Sequence, residues 1–172
     1  LHRSIRELSI PRTSGSALCV SDHHARVVGV TGSKGKSTTT TLIHALLEGS
    51  GVNAALGGNM GIPLQGLDPA EYYALELSSY QCHYLEVSPD VVGLTALFPE
   101  HLDWHGSSDA YYDDKLNIVA HNPRVVVPNA DDEILVRELT QRYPHLPVTW
   151  VGYGQQWHLE PDGDESWLCR GD

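Results

Sequence analysis

The chain is predicted to be an α/β protein: a mostly parallel sheet with helices on both faces, of the phosphate-binding-loop type, ending in a β-hairpin. Three observations predict it. From Arg26 onward, short β-branched runs alternate with helix-patterned runs. The short runs are apolar along most of their length rather than alternating, as strands covered on both faces are. The first of them runs into a glycine turn, a lysine, a hydroxyl residue and a helical pattern, in the order Thr31-Gly32-Ser33-Lys34-Gly35-Lys36-Ser37-Thr38.

Taken in order, residues 1–25 are mixed and rich in Ser, His and Pro, and read as a linker or the end of a preceding domain, leaving 26–172 as the folded unit. Val27–Thr31 reads as a strand. Ser37–Gly49 reads as a helix with Ile43, Leu46 and Leu47 at helical spacing. A short run, Val52–Leu56, leads into the glycine-dense loop Gly57-Gly58-Asn59-Met60-Gly61-Ile62-Pro63. Tyr73–Leu77, Val91–Leu97, Val125–Val127 and Val148–Val151 read as further strands. The helix expected over Ser107–His121 takes its cap from Ser107 or Ser108. Another, over Asp131–Arg142, begins at Asn129, Asp131 and Asp132, acceptors and negative charges suited to a helix N-terminus. After Gly152, Trp157-His158-Leu159 and Trp167-Leu168-Cys169 flank the turn signal Pro161-Asp162-Gly163-Asp164, which predicts a hairpin.

At 172 residues the chain is large enough for one domain and a short appendage. Its net charge of −11 argues against nucleic acid, whose phosphates are held by surplus Lys and Arg. No apolar run is long enough to span a membrane, and no signal-peptide pattern is present. Three cysteines, odd in number and without metal-type spacing, suit a reducing cytoplasm. A first residue other than Met, and a last one just after a strand-like run, are expected of a fragment.

The glycine turn carries most of the functional signal. Backbone N–H groups of such a loop and the positive end of the following helix converge on an anion. Gly32, Ser33, Lys34, Gly35, Lys36, Ser37 and Thr38 are therefore the candidate nucleotide-binding residues. Lys36 is expected on the phosphates and the Ser37 hydroxyl on Mg²⁺. Val30 stands where the longer motif G-x-x-x-x-G-K-[ST] has glycine, so only the shorter G-x-x-G-K-S is met.

In open α/β sheets ligands bind beyond the carboxyl ends of the strands, and the other polar clusters fall there. Glu76 ends an apolar run. A carboxylate buried in a parallel strand is costly without a compensating cation, which makes Glu76 a candidate Mg²⁺ ligand or else one half of a salt bridge at the strand's exposed end. His101 and His105 are spaced to share a helical face, but no third ligand at a zinc-type spacing accompanies them. One of the two is expected to serve a metal or substrate. Lys115, between Asp114 and Leu116, reads by itself as a solvated surface lysine.

Five segments together resemble the ATP-binding central domain of the Mur ligases, cytoplasmic enzymes that add amino acids to the UDP-N-acetylmuramoyl precursor of peptidoglycan. They are Thr31–Thr38, Gly58-Asn59-Met60-Gly61, Glu76-Leu77-Ser78-Ser79-Tyr80-Gln81, Glu100-His101-Leu102-Asp103-Trp104-His105 and Asn129-Ala130-Asp131-Asp132. The second and third are most similar to members that add glutamate to UDP-N-acetylmuramoyl-L-alanine, usually D-glutamate. Lys34 and Phe98–Gly106 resemble a less common relative that adds L-glutamate.

The resemblance implies ATP and two Mg²⁺ ions as partners in the reaction, with Lys36 on the phosphates. Ser37 and Glu76 would hold the first ion and His101 would help hold the second. Asn59, Ser78 and Gln81 would lie toward the substrates. Lys115 matches a lysine that the family carbamylates with CO₂, a reaction of the neutral amine. The implied chemistry is amide formation through an acyl phosphate, with small-molecule partners only. Domains for the UDP end and for the incoming amino acid would lie outside this stretch, so the chain alone is expected to be inactive.

Four residues depart from the family pattern: Lys34 for a frequent Asn, Glu100 and Trp104 for a common Asp and Arg, and Ala96 for a frequent Asn. Folylpolyglutamate synthases share the implied chemistry but usually carry Gly at the Ser37 position and lack Glu-Leu-Ser-Ser-Tyr-Gln. A non-catalytic nucleotide switch would have no need of Glu76, His101 and Lys115 together. An ordinary P-loop ATPase or GTPase would need a base-specificity motif that is not evident.

Overall fold

The computed structural model describes residues 12–61, 64, 69–152 and 154–171. Residues 1–11 of the expected linker, Ile62 and Pro63 of the glycine-dense loop, and Asp172 lie outside the described residues.

Five parallel strands form the sheet: β1 (Val27–Thr31), β2 (Ala54–Gly58), β3 (Tyr72–Glu76), β4 (Val91–Leu94) and β5 (Val125–Pro128), in the order β2-β3-β1-β4-β5. The chain leaves β1 toward β2 on one side and later crosses to β4 on the other. The order therefore reverses at β1, where open α/β sheets bind ligands. Strands β6 (Trp157–Asp162) and β7 (Glu165–Arg170) make the predicted hairpin.

The six α-helices of the described residues are α1 (Gly15–His23), α2 (Lys36–Gly49), the single turns α3 (Ser79–Cys82) and α4 (Leu102–His105), α5 (Ser108–Leu116) and α6 (Glu133–Arg142). Side-chain caps start four of them where the sequence offers acceptors: Ser14 at α1, Ser78 at α3, Ser107 at α5 and Asp132 at α6. The core joins both layers, with Leu75 and Leu77 from around β3, Val92 and Val126 from β4 and β5, and Leu116, Leu135 and Leu139 from the helices. Burying each of these leucines contributes about 1.5–3 kcal/mol.

Several boundaries differ from expectation for identifiable reasons. Part of the segment read as a linker is α1, whose Ala17 and Val20 enter the core. The helix expected to reach His121 is α-helical only to Leu116 and tightens to a 3₁₀ turn over Asn117–Val119. Asn122 then turns left-handed ahead of Pro123. On α2, Ile43 and Leu47 are half-buried, whereas Leu46 is 70 % exposed. Val148–Val151 is no continuous strand. It meets β5 only through the bridges Val126–Val148 and Asn129–Val151, because Pro128 between them has no N–H to donate. The strand expected over Val91–Leu97 ends at Leu94, and the next residues turn over the glycine loop.

Coverage of the sheet is unequal. At β4 and β5, Val92, Leu94 and Val126 are buried on one face. On the other, Val91, Gly93 and Val127 line an apolar cleft of about 660 Å³ that reaches Ile43 and Leu159.

Candidate active site

The glycine turn between β1 and α2 is built as the sequence anticipates. Gly32 has φ +148°, and a Cβ there would stand 2.0 Å from Thr95 Oγ1, so only glycine fits. Thr95 donates to the Lys34 carbonyl (2.5 Å), and the Ala96 carbonyl accepts from the Ser33 N–H (2.6 Å). The Ser33 hydroxyl donates to the Phe98 carbonyl (2.7 Å) and accepts from the Phe98 N–H (3.0 Å). It also meets Tyr111 Oη at 2.8 Å. Ser33 is therefore the footing of the loop rather than a group turned toward a phosphate. Burial pushes the Tyr111 phenol up to about 12, so it stays a neutral partner of Ser33.

Lys36 opens α2 and folds back, its ammonium 3.0 Å from the Ser33 carbonyl. Ser37, one residue on, donates to Glu76 Oε2 at 2.6 Å. Glu76 ends β3 only 3 % exposed, and its other oxygen accepts from Asn59 Nδ2 at 3.0 Å. Asn59 is brought there by Gly58, whose φ of +104° lets the chain pass so close to the Glu76 carbonyl that a Cβ would stand 2.1 Å from it. Among the described residues Glu76 makes no ion pair; its side-chain partners are the neutral Ser37 and Asn59. The strand-end salt bridge is thus not what the fold builds. A buried carboxylate held by neutral donors beside a hydroxyl is the donor set a divalent cation suits.

A cleft of about 270 Å³ opens beside this cluster, lined by Lys36, Asn59, Ser78, Glu100, His101 and Lys115, with Ser79 and Tyr80. Lys115 corrects its surface reading: it is 2 % exposed, and Nζ donates to the Gly32 carbonyl at 2.7 Å. Burial pulls its ammonium down to about 8; the positive charge of Lys36 adds to this while Cys82, Glu100 and Glu76 oppose it.

The histidine pair separates. His101 is the left-handed residue that caps α4, with φ +52° and its ring 5.2 Å from Tyr80, and it lines the cleft. The His105 ring is fully buried and bound to Ser79 and Asp114. Gln81 is not among the lining residues; its amide is engaged by Ser78 (2.8 and 2.9 Å) and by Ser16 of α1 (2.7 Å). Lys34 is exposed, its ammonium 5.6 Å from the Phe98 ring centre, and Thr38 is exposed on the first turn of α2.

Sequence patterns did not announce Tyr111, Ser79 or Asp114 as neighbours of the site. The signals available were the position of Asp114 beside Lys115 and of Tyr111 one helical turn before it. No group of three or more His, Cys, Asp or Glu side chains is arranged for a metal ion among the described residues. A cation here would take Ser37, Glu76 and non-protein oxygens, as Mg²⁺ commonly does.

A parallel sheet that reverses at a glycine loop, with Lys36 and the Ser37–Glu76 pair at its switch point, has the architecture of a nucleotide-binding α/β domain. The chain belongs to the Mur ligase family: residues 30–160 match the Mur ligase middle domain. It is 50 % identical over 165 residues to a UDP-N-acetylmuramoyl-L-alanine--L-glutamate ligase of Salinispora tropica, covering 95 % of this chain and 36 % of that protein. A ligase of the same name from a Micromonospora species is 48 % identical over 169 residues, with 98 % and 36 % covered. The chain thus spans about a third of the length of these relatives. The fold matches a MurF ligase from Thermotoga maritima solved with ADP, at a TM-score of 0.66 and 22 % identity, over 89 % of this chain and 39 % of that one.

Proposed function

We propose that this chain is the ATP-binding part of a cytoplasmic ligase that joins L-glutamate to UDP-N-acetylmuramoyl-L-alanine. The observation that carries the proposal is the Ser37–Glu76–Asn59 cluster beside Lys36 and the buried Lys115, in a chain half identical to a ligase of that name. The names of both relatives favour L-glutamate over the more common D-isomer. The remainder of the longer polypeptide would bind the UDP end and deliver the amino acid.

In the proposed reaction, the alanyl carboxylate attacks the γ-phosphorus of ATP, and ADP leaves. The glutamate amine then attacks the acyl phosphate, inorganic phosphate leaves as the amide forms, and the amine proton passes to solvent or phosphate. Such transfer needs positioning and charge neutralisation more than a side-chain nucleophile. Lys36 and the loop N–H groups of Lys34–Ser37 would orient the phosphates. Ser37 and Glu76 would hold one Mg²⁺, with His101 and a carbamylated Lys115 serving the second. The ions supply charge neutralisation on the transferring phosphoryl group. Asn59 and Ser78 face the cleft where the carboxylate would approach; Gln81 would act through Ser78.

The test is phosphate release by the complete ligase with Mg-ATP and UDP-N-acetylmuramoyl-L-alanine, comparing L- with D-glutamate. Release with L-glutamate alone is expected. Release with D-glutamate alone corrects the amino acid, and release with neither overturns the function.

A further inference from the structure

Only three residues separate His101 from His105, yet the fold gives them different work. Both ring nitrogens of His105 are engaged: Nε2 lies 3.0 Å from Ser79 Oγ, and Nδ1 lies 2.6 Å from Asp114 Oδ2. The other Asp114 oxygen is 2.5 Å from His83 Nδ1. The ring also stacks on Tyr80 (5.5 Å) and meets Tyr111 edge-on (5.1 Å).

The three bonded residues sit on three separate pieces of chain, and each piece carries a cleft residue. Ser79 begins α3, immediately after Ser78 and three residues past Glu76. His105 closes α4, which His101 caps. Asp114 immediately precedes Lys115 in α5. With Ser79 2 % exposed, its hydroxyl is a wall atom rather than an accessible nucleophile, so the Ser–His–Asp order does not make a hydrolytic triad here.

The His101 segment needs an external tie. Its φ of +52° is unfavourable for a residue with a Cβ. The turn that follows holds itself by three backbone bonds, from Trp104 N (3.0 Å) and His105 N (3.1 Å) to the His101 carbonyl and from Gly106 N (2.8 Å) to the Leu102 carbonyl. One helical turn has no stability of its own in water. The aromatic contacts and the two His105 hydrogen bonds are what tie it down.

We infer that His105, clamped between Ser79 and Asp114, is a positioning residue that fixes His101 and Lys115 relative to Glu76. It acts through those residues. The inference rests on the proposed ligase function for its kinetic readout and on the fold alone for its structural one.

The experiment compares the complete wild-type ligase with His105→Phe, which keeps the ring and loses both hydrogen bonds, and His105→Asn, which keeps a donor within reach of Asp114. In the Phe variant kcat is expected to fall about ten- to a hundredfold, as a misplacement of up to about 1 Å does, while KM for ATP stays within about threefold. The Mg²⁺ concentration for half-maximal rate should rise, and the Trp104 and His105 amides should exchange hydrogen at least about tenfold faster with β1 amides unchanged. The Asn variant should recover most of kcat.

An unchanged kcat, or unchanged exchange at Trp104 and His105, overturns the inference. If β1 amides also accelerate, Asp114→Asn decides in the same assays: loss of kcat with β1 protected supports the inference, and wild-type kcat overturns it. A wild-type ligase that neither binds Mg-ATP in calorimetry nor releases phosphate overturns the proposed function instead, and the exchange measurement still judges the clamp.

Discussion

The cleft around Lys36, Glu76 and Lys115 and the C-terminal hairpin belong to one chain, but the bonds that hold them differ in range. In the cleft, Lys115 reaches Gly32 across 83 residues of sequence, Tyr111 reaches Ser33 across 78, and Phe98 reaches Ser33 across 65. In the hairpin, Trp167 bonds Asp162 five residues away and His158 bonds Glu160 two away. Exposure follows the same division. Glu76 and Lys115 are 3 % and 2 % exposed, whereas Leu159 and Leu168 are each 64 % exposed. Groups that are costly to bury are tolerated where many distant elements fix them together. The hairpin takes its register from its own turn, and two strands alone are only marginally stable.

The largest expected effect breaks the cleft chemically. Lys36→Ala in the complete ligase should lower phosphate release by at least about a thousandfold, with a melting temperature within a few degrees of wild type. Near-normal release would show that the glycine loop does not handle the phosphates.

Lys115→Met sharpens the comparison, because it should cost activity while raising stability. The folded lysine titrates at about 8 against an ordinary 10.5, so between those values the unfolded chain binds more protons than the folded one. Its contribution to stability therefore rises with pH through that window, and below about 8 the full penalty of a buried ammonium applies. At pH 7 the Met variant should be more stable by about 1–3 kcal/mol, an advantage that fades toward pH 10.5. Denaturant melts of both proteins across this range give the difference, in which the opposite trend of Tyr111, pushed up by burial, cancels. A difference that does not vary with pH would place the lysine in water. The carbamylation proposed for Lys115 should likewise increase between pH 7 and 8 as the neutral amine grows from about a tenth to half.

The smallest effect lies in the hairpin. Trp167 is 58 % exposed, and Trp167→Ser should change stability by less than about 0.5 kcal/mol in the same melts. A loss above about 2 kcal/mol would mean that this face is buried in the molecule as it melts.

Local pattern was enough wherever neighbours in sequence decide the outcome. The run Val27–Thr31, the Gly32 and Gly35 turn, the Ser107 and Asp132 regions as helix starts and the Asp162–Glu165 turn are all legible because sterics and capping act over a few residues. Val148–Val151 shows the limit. Its β-branched pattern is right for a strand, but whether a ladder forms depended on Pro128 in the facing strand. The histidines show it again: spacing paired His101 with His105, while burial and the partners Ser79 and Asp114 separated them.

The sequence by itself determined the glycine loop, the alternating α/β order and the family, since each is written in short-range pattern. Only the tertiary structure decided that Lys115 is buried against the Gly32 carbonyl and that Glu76 is held by neutral donors. It alone made Ser33 a footing and His105 a clamp. Those outcomes depend on desolvation and on hydrogen bonds between residues tens of positions apart, and no local pattern encodes them.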